Sequence, residues 1–150
     1  KGIADSVKEG PLAGYPVVGI KATLTGGSYH DVDSSEMAFK TATCQAFKEG
    51  ILSATPILLE PIATLKIVVP EKYTGEIMGD LNRRRGRVYG MNALHNNKQE
   101  IVAEIPMAEL SGYSADLRSM TMGIGDYSYE FTRYEAAPSD VQAKVVEENQ

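Results

Sequence analysis

The residues best equipped for chemistry are packed into one short span, Gly26-Gly27-Ser28-Tyr29-His30-Asp31-Val32-Asp33-Ser34-Ser35-Glu36. A histidine lies between a phenol and two carboxylates. Two readings follow for His30. It is either a solvated loop histidine, or one held out on a rigid corner to meet a partner. A metal-ligand reading is weaker, because no second His or Cys stands at a ligand spacing. Gly26 and Gly27 allow backbone angles that a side chain forbids. Asp33 stands three residues before Glu36, which suits a helix N-cap with a back-reaching carboxylate.

A second concentration of chemistry is cationic. Arg83, Arg84, Arg85 and Arg87 fall within five positions at the end of an expected helix. The helix dipole accounts for one or two cations there. Four suit phosphate oxygens, since a guanidinium offers several donors in one plane. Each phosphate contact adds roughly one unit to the salt dependence of binding. Nucleophilic catalysis has no support: no Ser–His–Asp or Cys–His arrangement is visible, and His95 lies in a polar turn. No G-x-x-x-x-G-K-S/T run is present, so this chain does not cradle GTP as a P-loop does. Gly123-Ile124-Gly125 is too short to count as a phosphate loop. No catalytic residue, metal ligand or cofactor site is assigned.

Composition sets outer bounds. The 150 residues, 43% of them hydrophobic, suffice for one ordinary core or two small ones. A net charge of −5 gives no global attraction for nucleic acid, so any RNA contact must be local. The single Cys44 rules out an internal disulfide, and its apolar helical setting predicts a buried thiol in a reducing compartment. No apolar run approaches the roughly 18 residues of a membrane span, and no signal-peptide pattern opens the chain. It begins Lys1-Gly2-Ile3 without Met, which leads us to expect a piece of a larger protein.

The elements that must position these residues follow from hydrophobic rhythm. Residues 3–9 read as a short helix stopped by Gly10-Pro11. Val18, Ile20, Ala22 and Leu24 alternate as in a half-buried strand. Met37, Phe39, Cys44 and Phe47 mark a helix from Ser34 to about Gly50 or Ala54, carrying a buried face. One strand cannot make a sheet, so an open edge prone to pairing with another chain is expected. After Thr55-Pro56 the pattern becomes strand 62–70, helix 71–85, strand 87–91, strand 99–106, helix 107–120 broken at Ser111-Gly112, and strand 126–134. Residues 139–150 form a helical tail. Strand–helix–strand, twice, is the split βαβ order, with both helices on one face of a four-stranded antiparallel sheet. The alternating aromatics Tyr127, Tyr129 and Phe131, with Arg133 as a further candidate for that side, invite comparison with base-stacking sheets. Without an RNP-like motif, they are expected to form the buried face.

Taken together, Leu12-Ala13-Gly14-Tyr15-Pro16-Val17-Val18 and the run from Gly26 to Phe39 resemble domain IV of bacterial elongation factor G. Leu59-Glu60-Pro61-Ile62, the stretch from Gly79 to Arg87, Leu117-Arg118-Ser119-Met120-Thr121, and Tyr129-Glu130-Phe131 with Tyr134-Glu135 and Pro138 resemble its domain V. The similarity runs from about Lys1 to Pro138. One departure stands out: Met122-Gly123-Ile124-Gly125 replaces the family's usual Gln/Gly-Gly-Arg-Gly, and the lost arginine leans toward a paralogue.

The resemblance implies an α+β chain in three parts. Residues 1–56 would be an incomplete α/β segment like ribosomal protein S5 domain 2, bearing the tip loop. Residues 57–138 would be a ferredoxin-like βαββαβ sandwich, and residues 139–150 a tail. It implies a C-terminal, non-enzymatic fragment of a cytoplasmic translational GTPase, with GTP and Mg bound in a domain absent here. Gly26, Gly27, Ser28, Tyr29, His30, Asp31 and Asp33 would contact the tRNA–mRNA helix in the decoding site, with Asp31 and Asp33 holding the loop. Arg83, Arg84, Arg85, Arg87 and Arg118 would face rRNA, near stalk-base proteins. Alternatives are a paralogue for ribosome recycling, a ribosome-protection protein, or a non-ribosomal split-βαβ ligand sensor with an apolar pocket at a dimer interface.

Overall fold

The computed structural model describes all residues from Lys1 to Gln150. The chain divides into two compact units, one of residues 1–58 with 138–150 and one of residues 59–137.

The second unit is a ferredoxin-like sandwich. Its elements are β1 (Leu59–Pro70), α3 (Thr74–Arg83), β2 (Arg87–Leu94), β3 (Lys98–Pro106), α4 (Tyr113–Met120) and β4 (Asp126–Ala136). All pairs are antiparallel, in the order β2-β3-β1-β4. The strands form where apolar residues alternate: Leu65, Ile67 and Val69 on β1 face the same side as Ile101, Ala103 and Ile105 on β3, and all six are fully buried. Ile77 and Leu81 of α3 and Tyr113 and Leu117 of α4, spaced one helical turn apart, close the core over that face. The expected helix 71–85 is shorter than the pattern suggested: Glu71–Tyr73 is a 3-10 turn leading into α3. The expected helix 107–120 divides at Gly112, whose φ of 73° only glycine adopts without strain. The polar turn at Asn96 and Asn97 is formed by two left-handed residues, φ 62° and 55°.

Two expectations for β4 are corrected. Tyr127 packs on the core, but Tyr129 and Phe131 remain 48% and 53% exposed, because β4 is an edge strand. Arg133 does not share their side. Ile62 pairs with Arg133 and Ala63 with Phe131, so Thr132 is left over as a bulge, which turns Arg133 to the uncovered face.

The first unit holds α1 (Gly2–Ser6), α2 (Glu36–Ser53) and α5 (Ser139–Glu148). The expected strand at residues 17–24 does not form. Beyond Val17, whose amide donates to the Val7 carbonyl, the backbone of residues 18–29 makes no hydrogen bond. Its alternation is real, but no second strand lies beside it, and a lone strand has no ladder to stabilise it. Val18 and Leu24 are consequently 68% and 92% exposed. The expected buried face of α2 is likewise only half covered. Lys40, Thr43, Cys44 and Phe47 are half-buried, and no residue of α2 is fully buried. The contact that exists is close: a side chain at Gly2 would bring its Cβ to 2.9 Å from Thr43 Cβ. Cys44 is therefore a half-buried thiol rather than a buried one.

Candidate functional site

The tip loop is organised by serines. The His30 amide donates to Ser34 Oγ at 2.9 Å, and the His30 carbonyl accepts from the amides of Asp33 (3.2 Å) and Ser34 (3.0 Å). These bonds fold residues 30–34 into a tight turn. The N-cap of α2 is Ser35, not Asp33: its hydroxyl accepts from the Ala38 amide at 3.0 Å. Glu36 does not reach back, because it pairs with Lys1 at 3.2 Å. A serine hydroxyl caps as well as a carboxylate and starts the helix two residues later. Asp31 and Asp33 are exposed, and their side chains accept no hydrogen bond, so Ser34 and Ser35 do the holding expected of the acids.

Gly26, Gly27, Ser28, Tyr29 and His30 are all exposed, with Tyr29 at 66%. The Tyr29 ring lies nearly parallel to Phe39 of α2, with 6.4 Å between centroids. An aromatic contact and a capped helix start thus brace the corner from which His30 projects.

The arginine run meets four different environments. Arg83 is largely free, its side chain 74% exposed with one long contact of 3.5 Å to Asp80. Arg84 is drawn inward, with its side chain only 15% exposed. It donates to Asp80 at 2.8 Å, to the Glu109 carbonyl at 2.8 Å and to Asp116, and it lies over the Tyr113 ring. Burial works against its charge, but the Asp80 and Asp116 carboxylates raise its pKa. Arg85 makes a two-pronged pair with Glu60, 2.8 and 3.0 Å, and reaches Glu109 at 3.3 Å. Hydrogen bonding to Glu60 is the largest influence on its pKa, which is raised. Arg85 has φ 59°, and the Gly86 amide closes the turn onto the Leu81 carbonyl at 2.7 Å. Arg87 is exposed at the start of β2, and Arg118 is exposed on α4.

Sequence reasoning missed a cluster on the uncovered sheet face. Arg133 donates to both oxygens of Glu104, 2.7 and 2.8 Å, across β1, and to Glu135 at 2.9 Å. Tyr89 donates to Glu104 at 2.7 Å. The Arg133 and Tyr89 hydrogen bonds pull the Glu104 carboxyl down to a pKa of about 2. Only the bulge at Thr132 makes this meeting possible, and nothing in the sequence marks that bulge.

No three His, Cys, Asp or Glu side chains converge to hold a metal ion. Gly123-Ile124-Gly125 leads into β4 and not onto a helix N-terminus. No helix is long and apolar enough to cross a membrane.

Residues 1–55 match the family described as elongation factor G, domain IV, and residues 57–145 match the elongation factor G C-terminus. A crystal structure of a protein from Thermus thermophilus superposes with a TM-score of 0.80 and 42% sequence identity, covering 99% of this chain and 22% of that one. The chain thus spans under a quarter of that protein's length. With its capped tip loop, its split-βαβ sheet and matches over both halves, the chain belongs to the elongation factor G family.

Proposed function

We propose that this chain is the ribosome-engaging part of a translational GTPase that promotes tRNA–mRNA translocation in the cytoplasm. In this reading the corner at Tyr29 and His30 enters the decoding site and opposes reverse slippage. The second unit meets large-subunit rRNA and stalk-base proteins, and GTP and Mg belong to a part of the longer protein outside this chain. The observation that carries the reading is the exposure of Tyr29 and His30 on a corner fixed by Ser34 and Ser35. A stiff corner suits recognition of backbone shape and 2′-hydroxyls rather than base sequence. The test is His30→Ala in the longer protein, with ribosome pelleting and translocation rate measured together. Slower translocation with little change in pelleting is expected; an unchanged rate removes His30 from the mechanism.

A second reading, a paralogue serving ribosome recycling, is favoured by the loop after α4. Met122 and Ile124 are 83% and 53% exposed there, where the family resemblance leads one to expect an arginine. A protein that splits ribosomes but does not translocate them would support this second reading.

A further inference from the structure

The arginine run, read as one phosphate-facing patch, is not one patch. Arg83 and Arg87 face solvent while Arg84 and Arg85 turn inward, and the chain reverses at Arg85, a left-handed residue with φ 59°. Helices commonly end on a left-handed residue, and here the Gly86 amide closes the turn onto the Leu81 carbonyl at 2.7 Å. Carboxylates then hold the side chain. Glu60 grips Arg85 at 2.8 and 3.0 Å, and Glu109 adds a third contact at 3.3 Å. Arg84, just before the reversal, ties the end of α3 to Asp116 on α4 and to the Glu109 carbonyl in the 3-10 turn Met107–Leu110. Anionic and carbonyl partners therefore hold both guanidinium groups.

Breaking such pairs to reach an external phosphate would leave Glu60, 9% exposed, without its two-pronged partner, and Asp80, 7% exposed, with only the long 3.5 Å contact to Arg83. That is among the costlier changes a protein can make. Arg83 and Arg118 face no such barrier. Arg83 has one long contact at 3.5 Å, and Arg118 is exposed with no ion pair.

We infer that the run divides its labour: Arg83 and Arg118 meet RNA phosphate, while Arg84 and Arg85 are positioning residues that fix the corner presenting Arg83. This inference rests on the proposed RNA-facing role of the second unit.

The experiment is pelleting of the full chain with bacterial ribosomes over a series of salt concentrations. Thermal midpoints are recorded for each variant. Arg83→Gln and Arg118→Gln should each lower the salt slope by about one, leaving the midpoint unchanged. Arg84→Gln and Arg85→Gln should lower the midpoint by several degrees and leave the slope unchanged in the folded protein. Glu60→Gln, which loosens Arg85 without removing a cation, covers the case in which the arginine variants fail to fold. It too should leave the slope unchanged. A slope lowered by Arg84→Gln or Arg85→Gln in folded protein overturns the division of labour. So does a slope raised by Glu60→Gln, or one unmoved by Arg83→Gln and Arg118→Gln while the wild-type chain still pellets with a steep slope. If the wild-type chain does not pellet at all, the underlying ribosomal reading falls and this inference falls with it.

Discussion

Glu104 shows how far one side chain's setting can depart from its residue type. Its carboxyl is held at about 2, against an ordinary value of 4.5, first by the Arg133 hydrogen bonds and then by Tyr89. A carboxyl with a lower pKa when folded than when unfolded stabilises the fold fully above the ordinary glutamate range. That contribution is lost as pH falls through the folded value. The thermal midpoint should therefore decline between about pH 4.5 and pH 2, and Glu104→Gln should flatten that limb in a series of melts across the window. Tyr113 is the opposite case. It is fully buried and its hydroxyl has no hydrogen-bond partner. Burial pushes its pKa up, and the Asp80 carboxylate pushes it further. An unpaired buried hydroxyl costs about 1–3 kcal/mol, so Tyr113→Phe should hold or raise the midpoint. A clear drop in the melt would reveal a partner for that hydroxyl. Neither result is foreseeable from sequence, since Glu104, Arg133 and Tyr89 lie on three strands joined only by register.

Elements differ in how much of themselves the sequence discloses. The split-βαβ unit is legible because its apolar alternation and its Ile77–Leu81 spacing describe two faces that close on each other. Its element order needs no further information. The strand expected at residues 17–24 fails for a physical reason: alternation records a preference, whereas a strand exists only as half of a pair. At the start of α2, Asp33 and Ser35 both have the right chemistry, and spacing alone favours the wrong one. Ser35→Ala removes the bond to the Ala38 amide and should cost about 1 kcal/mol of helix stability. Circular dichroism should show the loss as reduced helicity and an earlier melt. Of the candidate site, the exposure of Tyr29 and His30 is legible from the glycine-flanked polar run. The separate fates of Arg83, Arg84 and Arg85 are not, because the carboxylates that divide them lie as many as 24 to 32 positions away.

At the scale of the whole molecule, the two units have unlike interiors. The second buries eleven hydrophobic side chains to 1% exposure or less, whereas the first buries only Ala13 among its hydrophobic residues. Local stability should follow. By hydrogen exchange, amides of residues 18–29 should be replaced within seconds at neutral pH, while those at the centre of β1 persist for far longer. Protection in residues 18–29 that grows with protein concentration would be the signature of strand pairing between copies. The pairing of Leu59 with Ala136 has a mechanical consequence. The first and last strands of the second unit are antiparallel neighbours, so the chain enters and leaves it side by side. Tension applied at those two points loads the rungs between β1 and β4 one at a time, like a zipper, and not all together as in shear. A unit so fully packed at its centre is therefore built to part at low force when pulled from its ends.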